Sequence, residues 1–145
     1  MESTLIIGNL GVGKTTLLKE LLNKLPTNIH IALCDKYFED IRHHEKFNLQ
    51  ETDIEPVLTR LIGKKPSLLV IDEVDFYDNL SIPSNVPVFA TMQAQNIEQA
   101  QESLKRKNIE VDFQRVILLE NKKDYRMETT RLIPIGTAKR HNGLS

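Results

Sequence analysis

Cysteine is almost missing from this chain: Cys34 is the only one in 145 residues. That excludes an intrachain disulfide and a zinc cluster built on cysteines, and leaves a buried reduced thiol at a strand end as its expected role. Charge of one sign is also lacking, because 19 Lys and Arg face 20 Asp and Glu for a formal net charge of −1. A globally basic surface is excluded, so any nucleic-acid contact has to come from a local patch. No apolar run approaches the ~20 residues that a membrane span needs. Met1-Glu2-Ser3 leads straight into apolar sequence, so no signal peptide is expected and the expected location is cytoplasmic. No repeat, low-complexity tract or Pro-, Gly- or Ser-rich linker divides the chain, and residues 1–145 read as one domain with a loose tail over 136–145. The composition, 40% hydrophobic and 27% charged, suits a globular domain of ordinary size.

The strongest positive signal is Gly8-Asn9-Leu10-Gly11-Val12-Gly13-Lys14-Thr15, directly after the apolar run Leu5-Ile6-Ile7. It is a complete G-x-x-x-x-G-K-[ST] phosphate-binding loop. Glycines at 8, 11 and 13 let backbone N–H groups turn inward around a phosphate without Cβ clashes. The motif assigns nucleotide contacts to Gly8, Asn9, Leu10, Gly11, Val12, Gly13, Lys14, Thr15 and Thr16. Lys14 is expected on the β- and γ-phosphates, Thr15 offers its hydroxyl to Mg²⁺, and the next helix points its positive end at the anion. The flanks agree with this reading. Leu18, Leu21, Leu22 and Leu25 recur at the spacing of an amphipathic helix over 14–25, which Pro26 closes.

A second signal is Ser67-Leu68-Leu69-Val70-Ile71-Asp72-Glu73, an apolar strand that ends in two carboxylates and resembles a Walker B element. In open α/β sheets ligands bind outside the carboxyl ends of the strands, so Asp72 is placed to hold Mg²⁺ and Glu73 to polarise an attacking water. Phosphoryl transfer depends mainly on positioning and charge neutralisation, which makes a lysine, a metal and a water-orienting base the minimum equipment. Further strands are expected at 4–7, 29–34, 86–91 and 111–119, and helices at 53–62 and 95–107. Alternating strands and helices predict an α/β fold with a mostly parallel sheet flanked by helices. Residues 129–135 read as an antiparallel edge strand paired with 111–119 across Asn121-Lys122-Lys123-Asp124. Pro87 has no ladder donor and belongs at the very start of its strand. If that strand lies between the first and third, Thr91 and Gln93 come near the γ-phosphate as sensors, so Gln93 joins Lys14 and Glu73 as a candidate catalytic residue.

With the phosphate loop, Asp72-Glu73 and Thr91-Gln93 in this order, the chain resembles the additional-strand P-loop ATPases, and within them the FtsK/HerA group of DNA-pumping motors. Ala32-Leu33-Cys34-Asp35-Lys36, Ala90-Thr91-Met92-Gln93, and Phe113 to Leu119 followed by Asp124-Tyr125-Arg126 are similar to that group's strand ends. Met92 is an extra residue in the group's Ala-Thr-Gln pattern. The resemblance implies a RecA-like core, ATP and Mg²⁺ as cofactors, DNA or another macromolecule as cargo, and a homo-oligomeric ring. ATP over GTP also follows from the lack of an Asn-Lys-x-Asp guanine-reading run. In such a ring an arginine of one subunit completes the site of the next; Arg106, Arg115, Arg126 and Arg131 are the candidates. Lys105-Arg106-Lys107 and Lys122-Lys123 are candidates for DNA phosphates, or simply a cationic helix end and a turn.

Two other classes stay open: a nucleotide-controlled switch or accessory module with weak turnover, and a small-molecule kinase with Glu73 as base toward a hydroxyl. The kinase reading draws on Asp75-Phe76-Tyr77-Asp78, similar to a turn of thymidine kinases, and needs an arginine-bearing lid, for which Asn121 to Arg131 is the one candidate. The simpler role for Phe76 and Tyr77 is to cover the sheet beside the site. Arg42-His43-His44-Glu45 does not read as a metal site, because adjacent histidines point apart.

Overall fold

Thr4-Leu5-Ile6-Ile7-Gly8 is apolar in nearly every position and buried throughout, as befits the centre of a parallel sheet covered on both faces. The computed structural model describes residues 1–26, 31–34, 44–46, 58–59, 62–63, 65–120 and 125–128. Its strands are β1 (Thr4–Gly8), β2 (Ile31–Cys34), β3 (His44–Lys46), β4 (Leu68–Ile71), β5 (Val88–Gln93), β6 (Arg115–Leu119) and β7 (Tyr125–Glu128). They form one seven-stranded sheet in the order β3-β2-β4-β5-β1-β6-β7. Every ladder is parallel except β6–β7. The fold is therefore α/β and of the P-loop NTPase type, with an antiparallel strand at its C-terminal edge.

Side chains alternate across a strand, and the two resulting sets build two cores. Leu5, Ile7, Leu69, Ile71, Val88, Ala90, Met92, Val116 and Leu118 lie on one face. Ile6, Leu68, Val70, Phe89, Ile117 and Leu119 lie on the other. Helix α1 (Lys14–Asn23) covers the second face with Leu17, Leu18 and Leu22. Helix α2 (Ile97–Arg106) covers the first with Ile97, Ala100 and Leu104. Asn96 caps α2, its Oδ1 accepting the Gln99 N–H at 2.8 Å, which satisfies a donor that the helix start leaves orphaned.

Several boundaries differ from the sequence expectation. Helix α1 ends at Asn23 rather than 25, although Leu21 and Leu25 still pack against its core. Strand β5 runs to Gln93, with Pro87 just before it; the Pro87 carbonyl accepts the Leu69 N–H at 2.9 Å, so the residue without a donor sits where only an acceptor is used. The expected strand over 111–119 becomes regular only at Arg115, while Val111 and Phe113 are buried in the connection before it. Strand β3 was not anticipated, being short and polar in sequence. The antiparallel edge is formed by 125–128, whereas the expected 129–135 lies outside the described residues. Of the helix expected over 53–62, residues 58–59 and 62 are described and are helical. Among the described residues, no helix is long and apolar enough to cross a membrane.

Candidate nucleotide site

The site is built where β1, β4 and β5 end side by side. β5 lies between β1 and β4, with Gly8 beside Gln93 and Ile71 beside Ala90. This brings the first turn of α1, the two residues after β4, and Thr91 into one group. Gly8 is forced by packing: a Cβ there would stand 2.6 Å from the Leu119 carbonyl oxygen and 2.8 Å from Val12 Cγ1. Gly13, at φ 105°, ends the loop in the left-handed region open to glycine and starts α1. Within the loop, Lys14 Nζ donates to the Asn9 carbonyl at 2.9 Å. Asn9, Leu10 and Thr16 are exposed, and Val12 packs against the core under α1.

The polar centre is a chain of contacts through Asp72. Thr15 Oγ1 lies 3.2 and 3.4 Å from the two Asp72 carboxylate oxygens. Thr91 Oγ1 donates to Asp72 Oδ1 and accepts the Glu73 N–H at 2.8 Å. Thr91 is fully buried, so both hydrogen-bonding roles of its hydroxyl are used inside the protein. Thr91 is a strut that ties the Asp72 carboxylate to the Glu73 backbone, a role additional to the phosphate-sensing expected from sequence. Gln93, two residues on, is exposed at the strand end, and Met92 between them points into the opposite core.

Glu73 has φ 55° and ψ 57°, a left-handed conformation that costs a bulky residue energy and marks functional turns. Its N–H is held by Thr91, and its carbonyl accepts the Phe76 N–H at 3.0 Å. Burial pushes the Glu73 carboxyl above its ordinary pKa, Asp72 and Asp75 push it further, and Lys14 opposes them. Burial lowers the Lys14 ammonium, against the pull of Asp75, Asp72 and Glu73. Asp75 is the residue that sequence reasoning missed as part of this electrostatic group. Its Oδ1 is buried without a hydrogen-bond partner, and its carbonyl accepts from Lys107 Nζ. The sequence signal available was a third acid three residues beyond Asp72.

Among the described residues no group of three or more His, Cys, Asp and Glu converges on a metal position. A paired hydroxyl and carboxylate suits Mg²⁺, which keeps several waters and takes phosphate oxygens rather than an all-protein cage. Arg115 lies at the other end of the strands, its Nε donating to Thr4 Oγ1 at 3.0 Å. Arg131, Lys122 and Lys123 lie outside the described residues. Tyr77 packs against the core as expected, but Phe76 is 71% exposed and does not cover the sheet.

Comparison with known proteins agrees with this architecture. The VirB11 ATPase of the Brucella suis type IV secretion system, solved with sulphate, is similar in fold, with TM-score 0.58 and 13% identity over 96% of this chain and 52% of that one. The Legionella pneumophila ATPase DotB is similar with TM-score 0.53 and 14% identity, over 81% of this chain and 40% of that one. The pilus retraction motor PilT, solved with bound ADP, is similar with TM-score 0.52 and 13% identity, over 99% and 53%. The chain thus spans about half the length of these proteins, or less. No curated protein matches its sequence. The model of the AAA domain family matches residues 2–86, from the start of β1 through the phosphate loop and the acidic end of β4, and the chain belongs to that family.

Proposed function

We propose that this protein is a Mg²⁺-dependent ATPase that couples hydrolysis to movement of a macromolecule, DNA first, as one subunit of a homo-oligomeric ring of the FtsK/HerA kind. The observation that carries the hydrolytic reading is the Thr15–Asp72–Thr91–Glu73 chain, in which one buried hydroxyl ties the Asp72 carboxylate to the Glu73 backbone beside the phosphate loop.

Lys14 leaves the Asn9 carbonyl for the β- and γ-phosphates, and the loop N–H groups of residues 8–16 surround the remaining oxygens. Thr15 and Asp72 would hold Mg²⁺, which would supply neutralisation of phosphate charge there. Glu73 orients a water on the far side of the γ-phosphorus. The water oxygen bonds to phosphorus as the bond to the ADP oxygen breaks, and Glu73 takes up the water proton. The raised pKa of Glu73 suits this exchange, because a base works best with a pKa near the working pH. In this reading Gln93, exposed at the end of β5, contacts the γ-phosphate. The motor part of the reading is supported by the strand order and by the likeness to a protein described as a retraction motor.

The test is steady-state ATP hydrolysis with and without double- and single-stranded DNA, alongside Lys14→Ala and Glu73→Gln and a mass measurement of the assembled state. DNA-stimulated turnover that both substitutions abolish supports the proposal. Tight ATP binding with no turnover on any DNA overturns it in favour of a switch.

A further inference from the structure

Glu73 stands in the left-handed region, and strained backbone of that kind persists only where its surroundings over-determine it. On the entry side the restraint is Thr91, whose hydroxyl accepts the Glu73 N–H. Past Glu73 the chain makes a tight turn in which the Glu73 and Val74 carbonyls accept the Phe76 and Tyr77 N–H groups at 3.0 and 3.2 Å. The Asp75 carbonyl is the first in this turn to take a partner from elsewhere in the chain, and that partner is the Lys107 ammonium, just past the end of α2. Lys107 grips the same segment a second time, because its own carbonyl accepts the Asn79 N–H at 2.9 Å. Asn108 Nδ2 adds a bond to Asn79 Oδ1 at 3.1 Å. At its other end α2 is anchored to the phosphate loop: between β5 and α2 the Ala94 N–H donates to the Gly8 carbonyl at 3.2 Å.

We propose that Lys107 is a positioning residue for hydrolysis, which by holding the Asp75 carbonyl braces the turn that aims Glu73 at the attacking water. The three cations of Lys105-Arg106-Lys107 are not equivalent. Lys105 and Arg106 are exposed, and Arg106 Nη2 reaches Ser103 Oγ on its own helix at 3.5 Å, whereas Lys107 is half-buried with its ammonium on the turn. A hydrogen bond from an ionised donor is roughly twice as strong as a neutral one. The grips on residues 75 and 79 enclose the segment between them, so it cannot swing without breaking one or both. A water-orienting carboxylate needs that restraint, since a misplacement of about 1 Å can cost about 10²-fold in rate. The inference rests on the reading of Glu73 as the base and deepens it by naming what holds Glu73 in place.

The test is Lys107→Met, which keeps the apolar stem and removes the donor, with Lys107→Arg as the conservative variant. Lys107 belongs to neither core, so both variants should fold. Lys107→Met should slow single-turnover ATP hydrolysis about 10- to 100-fold and leave ATP affinity at the parental value. Amide hydrogen exchange over residues 73–79, read without nucleotide, should become faster while 14–23 exchange as before. Lys107→Arg should restore both rate and protection. In a Glu73→Gln background Lys107→Met should cost little more, because residues that act through one group are non-additive. A full loss in both backgrounds, or a rate loss matched by a loss of ATP affinity, gives Lys107 a general structural role and overturns the inference. Unchanged exchange over 73–79 overturns it as well, whatever the turnover. Glu73→Gln at the parental rate sinks the reading of Glu73 as base; Glu73→Gln slow with Lys107→Met at the parental rate leaves that reading standing and sinks the brace alone.

Discussion

The same strands end very differently at their two edges. At the N-terminal edge each polar group of the β1 entry finds a partner: the Ser3 N–H donates to Gln114 Oε1 at 2.9 Å, Ser3 Oγ accepts the Val88 N–H at 2.9 Å, and the Ser3 carbonyl accepts from Gln114 and Arg115. Arg115 in turn donates to Thr4. At the C-terminal edge three acids crowd one lysine, Glu73 sits in a left-handed conformation, and Asp75 keeps a buried oxygen unpaired. One end is saturated, and the other holds interactions in reserve for something that is not protein. Substitutions at the two ends should therefore trade stability and activity in opposite directions.

The largest effect tests the reserved end. Glu73→Gln should lower turnover by about 10²- to 10⁴-fold while leaving ATP binding intact, as measured by single-turnover hydrolysis and nucleotide titration. It should also raise the melting temperature at neutral pH. Because burial and two neighbouring acids raise the folded pKa of Glu73, its ionised form is a cost of folding that appears as pH rises through and above 4.5, the ordinary value. The stability gain of Glu73→Gln should vanish on acidification below that range. A variant less stable than the parent at neutral pH would break the contrast between the two edges.

Gly8→Ala comes next. The added methyl meets the Leu119 carbonyl and Val12, and overpacking of this sort costs about 1–3 kcal/mol. The loop must move to relieve it, so nucleotide affinity should fall together with melting temperature. Thr91→Val tests the strut between the Asp72 carboxylate and the Glu73 backbone. It keeps the shape but leaves the Glu73 N–H and an Asp72 oxygen short of a partner, a loss of about 1–3 kcal/mol. Turnover should drop as well, and Thr91→Ser should recover both. If Thr91→Val loses turnover alone, the hydroxyl works on substrate rather than on Asp72 and Glu73.

How much of this was readable beforehand follows from the range of the interactions. The phosphate loop and Asp72-Glu73 are local patterns that fix backbone and charge within a few residues, so the motif alone located them. The placement of the fourth expected strand between the first and third was posed as a condition, and β5 meets it. The strut role of Thr91 was not legible because only tertiary packing shows that Asp72 and the Glu73 amide engage its hydroxyl. Asp75 was passed over since its meaning depends on Lys14 and Lys107, far away in sequence. Phe76 was assigned to the sheet by hydrophobicity, yet in the turn Val74–Phe76 the buried residue is Val74, which leaves Phe76 outside. Strand β3 carries no apolar pattern, and its pairing with β2 is what makes it a strand.

The smallest effect tests the saturated edge. Ser3 is buried, and its hydroxyl oxygen accepts the Val88 N–H, so Ser3→Ala strands that donor at the entry of β5. The loss should be about 1–2 kcal/mol, within the range for a buried group left unpaired, and for a domain of this size a fall in melting temperature of roughly 3–6 °C. Turnover per folded molecule should stay at the parental value, because the N-terminal edge lies a full strand length from Lys14 and Glu73. The discriminating measurement is kcat at a temperature where both proteins are fully folded. A lower kcat there would mean that strain at the start of β5 is transmitted along it to Thr91, and the two edges would have to be treated as one coupled device.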